Sequence, residues 1–115
     1  MSGSTVAMVG ALIDAHRVLV PLLDEHLADN ERQVLPHLLA SDIVRWLVEH
    51  RASHPDVCSS VLGWLESAYE RGPDDIRELI AVSVVEMLPD PGQDGEELHR
   101  LLGPLLRQLD PWSRP

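Results

Sequence analysis

Apolar side chains recur every three or four residues along almost the whole chain, which is the spacing of one face of an α-helix. The first apolar stripe joins Val6, Val9, Ile13, His16 and Val20. It predicts a helix over residues 6–19. No stretch alternates between apolar and polar residues over the length of a strand, so the pattern predicts an all-α protein.

Prolines divide this pattern into separate helices, because proline lacks an N–H and is tolerated mainly in the first helical turn. Pro21 predicts a break or kink, followed by a shorter helix over residues 22–28. The next two helices begin at prolines and are expected to span residues 36–53 and 55–70.

The most apolar helix is predicted over residues 75–88, where Ile80 to Val85 leave no polar face over nearly two turns. Such a helix is expected at the centre of the fold. A buried strand is the alternative, but the acidic first turn and the length favour a helix. With the preceding helix, across Gly72-Pro73, it forms a predicted hairpin similar to one unit of a HEAT-type array.

The end of the chain reads as a loop from Pro89 to Gly95 and a last helix from about Glu96, kinked at Gly103-Pro104. Residues 1–5 and 110–115 are expected to be loose tails. We predict one domain, residues 1–115, folded as a compact irregular bundle of about five or six helices.

The cellular compartment is indicated by the cysteine count and by the absence of membrane signals. Cys58 is the only cysteine, so the chain forms no internal disulfide, which fits a reducing cytoplasm. No apolar run approaches the roughly 20 residues that span a bilayer. No basic segment followed by an apolar one marks a signal peptide. We expect a cytoplasmic protein without a membrane association.

Charge narrows the class of partner. All nine cations are Arg, and 19 acidic residues bring the formal net charge to −10. A field of this sign repels nucleic acids and anionic membranes. It favours a basic protein partner, whose association it accelerates. The alternative is that the acidity serves only solubility.

No arrangement of residues predicts catalysis. His50 and His54 share the i, i+4 spacing of zinc peptidases, but Arg51 stands where the catalytic Glu belongs. His16 and His26 lie beside carboxylates, in Asp14-Ala15-His16 and Asp24-Glu25-His26, but neighbouring side chains on a helix point in different directions. No nucleophile, phosphate-loop or cofactor motif is present. The expectation is a non-enzyme without metal or cofactor.

One helix carries a more distinctive group. Asp42, Arg45 and Glu49 are spaced to form a charge ladder beside Trp46. Trp and Arg are enriched at binding hot spots, so these four residues are candidates for partner binding. The alternative is an ordinary ladder on a solvated helix surface.

Three clusters of acidic residues are the other candidates. The first contains Asp24, Glu25, Asp29 and Glu31, and the second runs from Glu66 to Glu78. The third contains Asp90, Asp94, Glu96 and Glu97. The first and third have almost no interleaved Arg and are predicted docking surfaces. Glu86 is either exposed at a helix end or buried with an Arg partner.

Three segments resemble a family of small uncharacterised bacterial helical proteins. They are Leu35-Pro36-His37-Leu38 with Asp42-Ile43-Val44-Arg45-Trp46, then Ile76 to Ser83 with Glu86, and finally Leu102-Gly103-Pro104. Val84 stands where the family pattern has an aromatic residue. The resemblance covers residues 20–107. It implies an association with bacterial interference systems, in which such proteins resemble immunity proteins.

Three hypotheses for function follow. The first is an acidic protein-binding module, most concretely an immunity-type protein that binds and neutralises a basic toxin. The second is a small ligand-binding or metal-binding bundle, or an enzyme, that uses Asp42 and Glu86. The third is a structural adaptor that dimerises through Leu-rich helices and Trp112. The sequence leaves the partner and the oligomeric state open.

Overall fold

The computed structural model describes residues 3–112, and every regular element in that range is helical. The elements are α1 (Gly3–Ala15), a 3₁₀ turn (Arg17–Leu19), α2 (Val20–Asp29), α3 (Pro36–His50), α4 (Pro55–Arg71), α5 (Asp74–Ile80) with its π-helical continuation (Ala81–Val85), a second 3₁₀ segment (Glu96–Leu101) and α6 (Pro104–Leu109). The predicted compact all-α bundle is confirmed.

The core is almost purely aliphatic. Its fully buried side chains come from every α-helix except α2, and they include Val9, Leu39, Ile43, Leu47, Val61, Leu62, Leu65, Leu79, Ile80 and Leu106. Burying each such side chain stabilises the fold by roughly 1.5–3 kcal/mol. The core is therefore built from interlocking Leu, Ile and Val rather than from aromatic rings.

The first break in the chain lies at His16, not at Pro21 as predicted. His16 leaves the helical region with φ −133° and ψ 76°. Its Nδ1 bonds to the Leu12 carbonyl at 2.9 Å and its Nε2 to the Ser60 hydroxyl at 2.9 Å. Pro21 sits in the first turn of α2, where its missing N–H costs nothing.

Among residues 3–112, no single helix is long and apolar enough to cross a bilayer. The segments Gly3–Ala15 and Arg17–Asp29 reach that length and composition only together, as a pair bent by 112°.

The apolar segment at Ile80–Val85 is helical and central, so the strand alternative is wrong. After Ile80 the helix widens, and the Glu86 N–H bonds to the Ala81 carbonyl at 3.0 Å, five residues back. The predicted hairpin also forms, since α4 and α5 pack against each other. Ser83 is buried in the widened turn and meets His37 Nδ1 at 2.6 Å, which ties α5 to α3.

The C-terminal segment is held by a carboxylate from α4. Both oxygens of Glu66 accept backbone N–H groups at the start of α6, from Leu105 at 2.9 Å and Leu106 at 3.0 Å. Gly103 permits this approach, because a Cβ there would lie 2.6 Å from the Glu66 carboxyl carbon. Gly103-Pro104 therefore separates two short elements instead of kinking one helix.

The predicted loose tails are corrected where the structure describes them. Asp110 is fully buried, and its Oδ2 meets His99 Nδ1 at 2.6 Å, while His99 Nε2 donates to the Pro89 carbonyl at 2.7 Å. Trp112, which follows Asp110 by two residues, is 58% exposed. At the other end α1 begins at Gly3, and Thr5 is buried. Residues 1–2 and 113–115 lie outside the described residues.

Replacing Glu66 by Gln is expected to lower the free energy of unfolding by about 1–3 kcal/mol. The amide keeps one neutral acceptor oxygen and turns an NH₂ donor toward the second backbone N–H, which loses its partner. Urea titration measures this difference. Glu70→Gln, on the same helix and exposed, is the matched control and should change stability by less than about 0.5 kcal/mol. Equal stabilities for the two variants would contradict this role of Glu66.

Candidate functional site

Helices α2 and α3 enclose a cleft of about 500 Å³, which we call the α2–α3 cleft. Half of the predicted partner-binding residues line it, namely Asp42, Arg45, Trp46 and Glu49. The opposite wall comes from α2 and its C-terminal end, with Leu22, Glu25, His26, Asp29 and Asn30, and Leu38 completes the lining. The volume lies within the range of small-ligand clefts, roughly 300–1,000 Å³.

His26 fixes the loop that joins the two walls. It is 3% exposed, and its Nε2 accepts the backbone N–H of Leu35 at 3.0 Å. An imidazole that accepts at Nε2 carries its proton on Nδ1. Nδ1 lies 3.5 Å from the side-chain nitrogen of Asn30 and 3.9 Å from Asp42 Oδ2. Because Nε2 is occupied by the backbone, His26 positions the loop and is not free to act as a base.

The loop itself is strained. Glu31 and Arg32 have φ of 54° and 62°, the left-handed region that side chains other than glycine rarely adopt. Each such residue costs roughly 1–2 kcal/mol. The Arg32 N–H bonds to the Leu27 carbonyl at 2.7 Å, and the Asn30 side chain donates to the His26 carbonyl at 2.8 Å. Together with the His26–Leu35 bond, these contacts hold the strained conformation.

The predicted charge ladder forms only in part. Arg45 pairs with Asp42, one turn before it on the exposed side of α3, and not with Glu49. The Arg45 side chain is 64% exposed, so the pair contributes little to stability. The carboxylate of Glu49 lines the cleft without an ion-pair partner among the described residues.

Trp46 is not the exposed aromatic that the hot-spot hypothesis implied, since it is only 9% exposed. Its ring stacks on His50 with centroids 4.2 Å apart and an interplanar angle of 14°. The indole N–H donates to no described residue. No described side chain has a buried nitrogen without a partner, so this N–H reaches solvent at the cleft that Trp46 lines.

A second depression lies on the other side of α3, between that helix and residues 86–94. We call it the α3 groove, and it holds about 660 Å³. Asp90 and Asp94 of the third acidic cluster line it, with Glu86 and Met87. Arg45 and Glu49 line both depressions, so they form the ridge between them.

The third acidic cluster has almost no Arg within its own segment, but the fold places Arg51 against it. Arg51 bonds to Asp94 through one guanidinium nitrogen and to Glu97 through another at 2.6 Å. Glu96 accepts the Gly92 N–H at 2.8 Å. Glu97 therefore ties the 89–97 loop to the C-terminal end of α3, and Glu96 closes the loop on itself. Of the four acidic residues, only Asp90 and Asp94 line the groove.

The residues of the ligand-binding hypothesis do not share a depression. Asp42 lines the α2–α3 cleft, whereas Glu86 is exposed and lines the α3 groove. Within residues 3–112 there is no group of three His, Cys, Asp or Glu side chains placed to hold a metal ion. His50 and His54 stack edge-to-face at 5.6 Å beside Trp46.

The two depressions together are strongly acidic. Their linings contain Glu25, Asp29, Asp42, Glu49, Glu86, Asp90 and Asp94, against the single guanidinium of Arg45. Exposed apolar side chains lie beside these carboxylates, with Leu38 in the cleft and Met87 in the groove. We call this surface the docking face. Charge and apolar contact coincide on it, as in protein interfaces.

Sequence reasoning identified one wall of the cleft and missed how the other is used. His26 was set aside because its neighbouring carboxylates point elsewhere, and that argument holds along the helix. Its partners are Leu35 and Asp42, nine and sixteen residues away. Glu25 and Asp29 belong to the first acidic cluster of the sequence. That clustering was the signal from which the α2 wall of the cleft could have been identified.

A family described as a domain of unknown function, DUF7674, matches residues 11–113 of the chain. No curated protein and no solved structure matches it. The matched range includes all of α2 and α3 and both depressions of the docking face.

Cys58 is a packed core residue whose thiol donates to the Leu47 carbonyl at 3.5 Å. Burial, reinforced by the Asp56 carboxylate, raises the pKa of this thiol. A raised pKa in the folded state stabilises the protein fully below the thiol pKa of the unfolded chain, about 8.5, and that contribution is lost at higher pH.

Stability should therefore fall as pH rises from about 8 to 10, and it should fall less in Cys58→Ala. Urea unfolding of both proteins at the two pH values measures the difference. The chain has no Lys, the side chain that otherwise dominates titration in this range. An equal loss in both proteins would exclude Cys58 as its source.

The hydrogen bond from Leu35 predicts that Nε2 of His26 is the accepting nitrogen, so that the ring proton lies on Nδ1. Imidazole ¹⁵N–¹H correlation spectra distinguish this tautomer from the Nε2–H form. His54, which is partly exposed and lies just before α4, provides an internal comparison. A protonated Nε2 on His26 would show that the loop is held in another way.

Proposed function

The chain belongs to the DUF7674 family of unknown function, and we propose that it is a small acidic protein-binding module that docks a basic protein on the docking face. The observation that carries the proposal is the lining of two adjoining depressions by seven carboxylates. Two of them are ion-paired, Asp42 with Arg45 and Asp94 with Arg51, and five have no ion-pair partner among the described residues. A face of this sign raises the association rate of a basic partner.

A protein partner accounts for more of this face than a small ligand does. The two depressions lie on either side of the Arg45–Glu49 ridge, so one compact ligand does not fill both. Leu38 and Met87 are 43% and 49% exposed. Apolar side chains next to charges become useful when a partner covers both together.

Within this function, the specific role we propose is that of an immunity-type protein, which binds a cognate toxin and blocks its active site. The resemblance of the α3, α5 and α6 segments to small proteins of bacterial interference systems motivates this role. Toxins that act on nucleic acids present basic active-site surfaces to phosphate. An inhibitor with an acidic face is complementary to such a surface.

The other hypotheses gain less support from the geometry. Asp42 and Glu86 line different depressions, so they provide no common site for a metal or a reacting group. A symmetric dimer built on the docking face would bring seven carboxylates of each copy together, which is repulsive. We therefore favour binding to a different, basic chain.

The test combines capture of the partner with charge reversal on the docking face. Tagged protein should retain one stoichiometric basic protein from its host lysate at low salt and less of it at high salt. Glu49→Lys combined with Asp90→Lys should slow association about tenfold at an ionic strength of about 0.15 M, where the Debye length is about 8 Å, measured by surface plasmon resonance.

The matched control is Glu70→Lys combined with Glu78→Lys, since both residues are exposed and lie outside both depressions. It changes the net charge by the same amount and should change the rate by less than about twofold, because long-range steering is screened. Equal slowing by both double variants, or no captured basic protein at either salt, would contradict the proposal.

A further inference from the structure

The π-helical segment after α5 turns a large apolar side chain toward solvent. Ile80 is fully buried and precedes Met87 by about two helical turns, so a continued α-helix would bury Met87 on the same face. The Glu86 N–H instead bonds to the Ala81 carbonyl, five residues back, which adds one residue to the turn. Leu88 takes the buried position at 4% exposure, and Met87 is left 49% exposed.

Met87 lies in the α3 groove, whose base is apolar. Val44 and Leu88 line the groove and are only 2% and 4% exposed, so they form its base, with Val48 and Pro89 beside them. A methionine left half in water forgoes the stabilisation that burial would give it. Its flexible thioether adapts well to the shape of a partner, and π-helical turns occur frequently at functional sites. These features indicate that Met87 is exposed for contact with a partner.

The apolar groove is bordered by charges of one sign. Glu49, Glu86 and Asp90 line it, and none of the three forms an ion pair with a described residue. Asp94 lines it too, but Arg51 neutralises that carboxylate. The segment that covers Met87 must therefore carry apolar side chains with cations on either side of them, because charge complementarity selects such a segment and repels an acidic one.

Resting on the proposed function, we infer that the α3 groove binds a basic amphipathic helix of the partner, whose apolar stripe covers Met87 and whose flanking cations meet the three carboxylates. Residues 3–112 contain no strand, so they offer no sheet edge to which an extended peptide could add. No aromatic ring in that range lines the groove, as recognition of a proline-rich segment requires. A helix that lays its apolar face into the groove is the mode that matches this surface.

The experiment uses the full chain and a defined probe, a blocked peptide of Leu, Ala and Arg. The peptide is about 18 residues long, because isolated helices below roughly 12–15 residues are marginal, and its Leu stripe is flanked by Arg. It is titrated into protein labelled with ¹³C at the methionine methyl groups, and Met87→Leu assigns the Met87 resonance. The expected result is a saturable shift of that resonance with Kd on the order of 100 μM.

Met8 is the internal control for the site of binding. It lines a different apolar depression, between α1 and the turn that joins α4 to α5, and its resonance should not move. Two further peptides test the chemistry of the occupant. A peptide with Glu in place of Arg should not bind, and a peptide of the same composition with its Leu stripe scrambled should bind at least about fivefold more weakly.

Variants of the protein separate the apolar contact from the charges, with binding measured by the fluorescence anisotropy of labelled peptide. Met87→Ser should weaken binding at least about fivefold. Its matched control is Val82→Ser, since Val82 is 45% exposed on the same π-helical segment but does not line the groove, and this variant should change binding by less than about twofold. Glu86→Gln combined with Asp90→Asn should weaken binding at least about threefold.

The outcomes distinguish this inference from the proposed function. The inference is overturned if the Met87 resonance does not shift up to about 2 mM peptide, if Met8 shifts in its place, or if Met87→Ser and Val82→Ser bind the peptide equally. If a basic partner is captured but binds Met87→Ser as tightly as Val82→Ser, docking stands and the helix in the groove falls. If the peptide binds as expected but no basic protein is captured, the groove stands as a helix-binding site and the proposed docking function falls.

Discussion

The ends of short helices impose the constraint on which this fold depends. Each end leaves backbone N–H groups or carbonyls without partners inside the helix. No local side chain caps any of the described helix starts for which a cap position is defined. The partners come from elsewhere in the chain instead. Glu66 of α4 holds the start of α6, and His26 of α2 holds the backbone just before α3.

This constraint explains how an acidic chain comes to have an acidic face. Several of its few cations are used on backbone carbonyls. Arg51 bonds to the Val48 carbonyl, Arg77 to those of Tyr69 and Glu70, and Arg107 to that of Arg100. Cations at helix C-terminal ends also match the helix dipole. Few guanidinium groups remain for the carboxylates that line the docking face, where only Asp42 and Asp94 have an ion-pair partner among the described residues.

The loop between α2 and α3 has a strained backbone and connects the two walls of the cleft. The loop holds two non-glycine residues in the left-handed region, and such strain persists only where surrounding contacts determine it. The same His26 that fixes the loop also has its Nδ1 3.9 Å from Asp42 on the other wall. The loop therefore sets the distance between the two walls, and the cleft exists because the loop is held.

The sequence by itself determined the fold class, the helices between Pro36 and Leu88 to within a few residues, and the acidic net charge. These features are local or additive, because helical periodicity, proline positions and net charge need no knowledge of the fold. It also selected Asp42, Arg45, Trp46 and Glu49, which do share one cleft.

Only the tertiary structure decided which polar groups are used internally. Arg51 and Asp94 are 43 residues apart, Glu66 and Leu105 are 39 apart, and His99 and Asp110 meet only once the chain has turned back. The break at His16 likewise depends on a bond to Ser60, 44 residues away. Spacing along a helix predicts contacts within one or two turns. Contacts over these separations are fixed by how the helices pack, so the loose end that the sequence predicted at Asp110 was wrong.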